Sequence, residues 1–149
     1  MVFLRKIANF GASQQEMVHL WTVYCRSVLE QSAVLWQGSL TNKNRDTLER
    51  TQMTFTKLVQ KRNFKTYDEA LKKLNMTSLH QRRDQLCLQW ARKCLNNDKK
   101  AYLFPLNQKT HDYPIRNTNK YQVHNANTVR MMKSPIKYMQ KLLNAHSQD

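Results

Sequence analysis

The sequence predicts an all-α fold: a small helical bundle of about four or five helices, then an irregular basic C-terminal segment ending in a short helix. Three observations predict it. Apolar residues recur at a 3.6-residue period through the first two thirds of the chain. Ser- and Thr-led capping patterns stand immediately before those periodic stretches. Only two glycines and three prolines occur in 149 residues, too few for a sandwich or barrel, which needs a turn every ~8–12 residues.

The first helix opens at the capping box Ser13-Gln14-Gln15-Glu16, where the serine accepts a backbone N–H and the glutamate reaches back to the cap. Met17, Leu20, Trp21, Tyr24, Cys25, Val28 and Leu29 then hold one apolar face, and the pattern continues through Val34, Leu35 and Trp36 to a stop at Gly38. Thr41 caps a second long helix reaching about Lys61, with Leu48, Phe55, Leu58 and Val59 as its apolar line and Met53 beside it. Thr66-Tyr67-Asp68-Glu69 starts a short third helix that buries Ala70, Leu71 and Leu74 and closes at Asn75. Thr77 or Ser78 caps a fourth. It carries Leu79, Leu86, Cys87, Trp90, Ala91, Cys94 and Leu95 on one face, with Arg82, Arg83, Arg92 and Lys93 toward the other.

After Asn96-Asn97-Asp98 the period is lost, which divides the chain into a helical domain over 1–98 and a basic extension over 99–149. Lys120–Val123 and Thr128–Met131 read as short extended pieces. Ser134-Pro135, a cap followed by proline at the first helical position, opens the last helix, with Ile136, Met139, Leu142 and Leu143 inward.

Several chemistries lack their residues. Two glycines cannot supply a Gly-rich phosphate loop. The ten acidic residues are scattered, and the one adjacent pair, Asp68-Glu69, lies in a first helical turn where the dipole already accounts for it. Cys87 and Cys94 stand seven apart, His111 and His124 are too far apart for a knuckle, and no zinc spacing results. The cysteines read as small core thiols of a protein from a reducing compartment. Trp21, Trp36 and Trp90 lie on apolar helical lines and read as core. The sequence therefore points to no catalytic residue, no metal site and no cofactor in this chain. No apolar run approaches the ~18 residues of a membrane span and no signal peptide is evident, so the expected location is intracellular, nucleus or cytoplasm.

Charge is the strongest compositional fact. Lys and Arg number 25 against 10 Asp and Glu, a formal +15, and such an excess favours a polyanionic partner. It concentrates in two stretches. Arg50, Lys57, Lys61, Arg62 and Lys65 follow one helix and its exit, where Asp46 and Glu49 are the only acids in the helix. Arg116, Lys120, Arg130, Lys133, Lys137 and Lys141 fall in a tail with no acid from Tyr113 to Gln148, interleaved with Tyr113, Tyr121, His124 and Tyr138. A solvated helix face is the bland alternative. Phosphate contact explains better why the opposite charges are missing, since an uncompensated basic face repels itself unless it meets an anion. No base-reading motif accompanies these residues, so the expected partner is RNA or DNA backbone, independent of sequence.

The strings Arg26-Ser27-Val28-Leu29-Glu30-Gln31-Ser32-Ala33-Val34-Leu35-Trp36, Ser39-Leu40-Thr41, Leu48-Glu49-Arg50-Thr51-Gln52, Tyr67-Asp68-Glu69-Ala70-Leu71 and Leu79-His80-Gln81-Arg82-Arg83-Asp84-Gln85-Leu86-Cys87 follow one another in order. Together they resemble the region C-terminal to the polymerase palm in LINE-type (non-LTR) retrotransposon reverse transcriptases of the Jockey-like and related animal branches. Tyr138-Met139-Gln140-Lys141-Leu142-Leu143-Asn144 resembles the usual end of those reading frames. The resemblance runs from about Leu4 to Asn144. It implies a thumb-like domain over 1–98 with a C-terminal extension, which in the parent enzyme grips the template–primer. The family's catalytic Asp-Asp is absent, so the chain is expected to be a non-enzymatic fragment with residual nucleic-acid binding. The apolar surface of 13–36 that a palm would cover is then expected to make the isolated chain marginally stable or self-associating. A domesticated or unrelated helical adaptor that binds protein partners is the alternative.

Overall fold

In the computed structural model, described over residues 2–107 and 119–146, the fold is all-α. No β-strand forms among the described residues, and the one extended pairing is an isolated antiparallel bridge between Leu106 and Tyr121.

The described residues pack as two units, one from Met1–Ala33 and Leu40–Arg83, the other from Val34–Ser39 and Asp84–Asp149. This packing boundary lies between Arg83 and Asp84, inside the helix Leu79–Leu95.

In the first unit, α1 (Val2–Asn9) precedes α2 (Gln14–Leu20), which runs through a wider π-helical stretch, Trp21–Arg26, into α3 (Ser27–Glu30). The Ser13/Glu16 capping box forms in both directions: Glu16 N–H reaches Ser13 Oγ at 3.3 Å and Ser13 N–H reaches Glu16 Oε2 at 2.8 Å. Those bonds from Ser13 hold the Glu16 carboxyl below its usual pKa. The helix expected to continue to Trp36 stops at Gln31, because Ser32 takes a left-handed conformation (φ 53°). The π-helical stretch also shifts the face. A wider turn offsets the 3.6-residue register within it and beyond it, and Met17 and Trp21 are buried while Tyr24 and Val28 are exposed. The terminal α1 has no counterpart in the expected elements.

Thr41 caps α5 (Asn42–Gln60), accepting from Asn44 N–H at 3.3 Å, and α4 (Ala33–Trp36) lies before it in sequence. Thr66 caps α6 (Tyr67–Lys73) through Glu69 N–H at 3.3 Å, and Asn75 (φ 51°) ends the following turn. The core of this unit gathers Leu4, Met17, Trp21, Phe55, Val59, Leu71, Leu74 and Met76. Trp21 stacks on Phe55 with centroids 4.5 Å apart and planes 11° from parallel, so this tryptophan is core.

Ser78 caps α7 (Leu79–Leu95), accepting from Gln81 N–H at 3.2 Å. The second unit takes the helix from Asp84 onward and packs it with α9 (Pro135–Ala145) around Cys87, Leu88, Ala91, Cys94, Phe104, Met139 and Leu143. Trp90 meets Phe104 edge-on at 6.4 Å. Arg83, expected on the exposed face of α7, is fully buried. Thr128–Met131, expected to be extended, instead holds a short helix, α8 (Val129–Met132), because the Thr128 hydroxyl accepts from Met131 N–H at 3.2 Å and starts a turn.

The segment around Tyr121 is fixed by side chains of α9. Asn144 accepts from Tyr121 N–H at 2.8 Å and donates to Tyr121 C=O at 2.9 Å, mimicking one rung of a sheet. Gln140 donates to Leu103 C=O at 2.9 Å and accepts from His124 N–H at 3.2 Å. Both amides are buried.

Candidate nucleic-acid interface

The basic cluster in the first unit is built by the end of α5 and the turns after it. Arg50 and Lys57 stand on α5, Lys61 and Arg62 in the 3-10 turn Lys61–Asn63, and Lys65 in the link to α6. All five are exposed. Lys57 Nζ lies 5.3 Å from the centroid of the Phe64 ring, a cation–π contact that steadies it without neutralising it. Lys61 sits at φ 49°, ψ −117°, outside the regions open to an L side chain. The sharp turn it makes brings Arg62 and Asn63 back beside the buried end of α5.

Four carboxylates, at positions 16, 30, 49 and 84, are engaged elsewhere, and Asp46 on α5 stays exposed. Glu16 closes the box with Ser13. Glu30 pairs with Arg82 Nε at 3.1 Å and, more loosely, with Arg26 Nε at 3.8 Å. Burial, then the neighbouring Arg82 charge, lowers the Arg26 pKa, and Glu30 opposes the shift. Glu49, on α5 itself, faces inward: it accepts from the Tyr67 hydroxyl, from Leu79 N–H at 3.1 Å and from His80 N–H at 3.2 Å. Asp84, in the second unit, accepts from Gln37 Nε2 at 2.8 Å and from the Tyr138 hydroxyl at 2.7 Å. Among the described residues, none of Arg50, Lys57, Lys61, Arg62 and Lys65 forms an ion pair.

Of the C-terminal candidates, Lys120, Arg130, Lys133 and Lys141 are exposed and Lys137 is half-buried. Lys120 lies on the segment pinned by Asn144, its Nζ 5.8 Å from the Tyr121 ring centroid. Arg116 lies outside the described residues. The two sets belong to different packing units.

Lys73 was not among the expected residues. It closes α6 and, with Arg62 and Lys65, lines a depression of about 470 Å³ in the first unit. It is sixteen positions from Lys57 in sequence and eight from Lys65, so only the turn between α5 and α6 unites it with the others. The nearest signal was the lysine pair Lys72-Lys73, which reads equally as a helix C-terminus favouring cations.

Among the described residues, no group of three or more His, Cys, Asp and Glu side chains is arranged to hold a metal ion, and no helix is long and apolar enough to cross a membrane. Comparison with family models, with curated proteins and with solved structures found no match to this chain.

Proposed function

We propose that this chain is a nucleic-acid-gripping module that holds the phosphate backbone of RNA or DNA without reading sequence, and that it derives from the thumb and C-terminal extension of a LINE-type reverse transcriptase. The carrying observation is the separation of charge. The carboxylates at positions 16, 30, 49 and 84 are bonded within the fold, while five cations along α5 and its exit stand exposed and unpaired among the described residues. A structural role for those cations would have placed acids beside them. A polyanionic ligand replaces that missing charge.

The test is a salt titration of oligonucleotide binding by the full chain. Neutralising about six phosphates lowers affinity by about 10³-fold between 50 and 200 mM salt, with a linear log–log slope. A flat dependence would sink the reading. The ancestry is tested on the DNA upstream of the Met1 codon, where a palm-encoding frame containing an Asp-Asp motif is expected.

The second reading is an adaptor for a protein partner. It is favoured by Val23, Tyr24 and Val28, all exposed on the π-helical stretch and α3. On the leading reading a palm covers this strip in the parent enzyme. Salt separates the two, because apolar docking lacks the steep slope of phosphate binding.

A further inference from the structure

The depression lined by Arg62, Lys65 and Lys73 is completed by three neutral amides, Gln14, Gln60 and Asn63. Gln60 is buried and held by its bond to Ala70 C=O at 3.2 Å, so this wall is fixed. Gln14, Gln60, Arg62 and Asn63 also line a second depression, of about 640 Å³, so the two share walls and adjoin as a groove of two parts. The two parts differ in character: the second is otherwise walled by Ala8, Ala12, Met17, Leu58 and Val59, together with Ser13 and Lys61. No carboxylate lines either part.

We infer that this groove seats a single-stranded segment of nucleic acid, with a backbone phosphate in the basic half and the adjoining base or sugar against the apolar half. The inference rests on the nucleic-acid reading above and narrows it. Cations converging from three successive pieces of chain, with amide N–H donors between them, suit a phosphate oxygen cluster. A duplex offers phosphates but keeps its bases stacked inside, so it engages the basic half alone. An unpaired strand exposes base faces as well and engages both halves, as single-strand grooves generally do. Lys73 is thereby a phosphate ligand that lies outside the α5 cluster.

The experiment compares the full chain binding a short oligothymidylate, an abasic strand with the same number of phosphates, and a blunt duplex, each across a salt series. Oligothymidylate is expected to bind best, and removing its bases is expected to weaken it about fivefold with an unchanged salt slope. Lys73→Gln is expected to weaken oligothymidylate binding about threefold and flatten the slope by about 0.7, one phosphate contact on a single strand. Asn63→Ala removes a donor without charge, and is expected to weaken binding about threefold with the slope intact. Circular dichroism of both exposed-site variants checks that they fold, and Lys73→Arg should restore the slope. If the wild type binds with a steep slope but both variants match it, or if the abasic strand and the duplex bind as well as oligothymidylate, the groove assignment is overturned while the basic-surface reading stands. If no oligonucleotide binds, both fall. Binding to phosphatidylserine vesicles without oligonucleotide binding overturns the assignment in favour of a lipid phosphate.

Discussion

Glu49 accepts three hydrogen bonds and thereby joins three elements of the first unit: α5, which carries it, α6 through the Tyr67 hydroxyl, and the first turn of α7 through two backbone N–H groups. From the sequence it is one of two acids on a basic helix and looks like a partial neutraliser of that face. The fold turns it inward as a cap, and this reversal leaves the outer cations uncompensated. Such a role is invisible in sequence because its partners are 18 to 31 positions away. Glu49→Ala is expected to lower unfolding free energy by about 3 kcal/mol in urea titration, since charged acceptors carry the stronger hydrogen bonds and buried donors are left unmet. Glu49→Gln should lose roughly half of that. Tyr67 adds a pH signature. Burial, followed by its bond to Glu49, raises its pKa well above the ordinary 10. The unfolded chain therefore releases this proton near pH 10 while the folded chain keeps it, so stability falls as pH rises above 10. Tyr67→Phe should remove that part of the alkaline loss, and an unchanged alkaline profile in the variant would count against a buried neutral hydroxyl.

At the scale of elements, the caps were the most legible part of the sequence. Ser13, Thr41, Thr66, Ser78 and Ser134 each accept the N–H three residues on, as side-chain chemistry alone requires. Interior interruptions were not legible. Nothing local marks the wider turn at Trp21–Arg26 or the left-handed Ser32, which is why the apolar line loses register at Tyr24 and Val28. Polar burial was equally hidden: nothing local marks Gln52 or Gln140, yet both are buried and donate to backbone carbonyls of other segments, Thr77 at 2.8 Å and Leu103 at 2.9 Å. Gly38 is the helix stop expected from the sequence, and it has a second reason to be glycine. A Cβ there would lie 2.7 Å from Tyr138 Cβ and 3.0 Å from Cγ. Tyr138 cannot swing away freely, since its hydroxyl is bonded to Asp84 at 2.7 Å. Gly38→Ala is therefore expected to cost about 1–3 kcal/mol by overpacking, read as a lower denaturation midpoint with an unchanged m-value. A neutral result would show that α9 yields at Tyr138.

For the whole molecule, net charge was legible at once, but its arrangement was not, because composition counts acids without saying which of them the fold uses internally. A +15 chain whose carboxylates at 16, 30, 49 and 84 serve as caps and inward-facing bonds carries like charges facing one another across water. Self-repulsion of that kind destabilises the compact state and is screened by salt, the Debye length falling from about 30 Å at 0.01 M to about 8 Å at 0.15 M. The melting temperature is thus expected to rise with added sodium chloride over the range in which oligonucleotide affinity falls. Relief of about 1 kcal/mol corresponds to roughly 2–4 °C for a chain of this length. The same physics sets stability against binding. Arg50→Gln with Lys65→Gln removes two exposed cations and should raise the melting temperature at low salt while weakening oligonucleotide binding and reducing its salt slope. If the double variant instead melted lower, these cations would be holding the fold together, and the separation of structural acids from ligand-facing bases would be wrong.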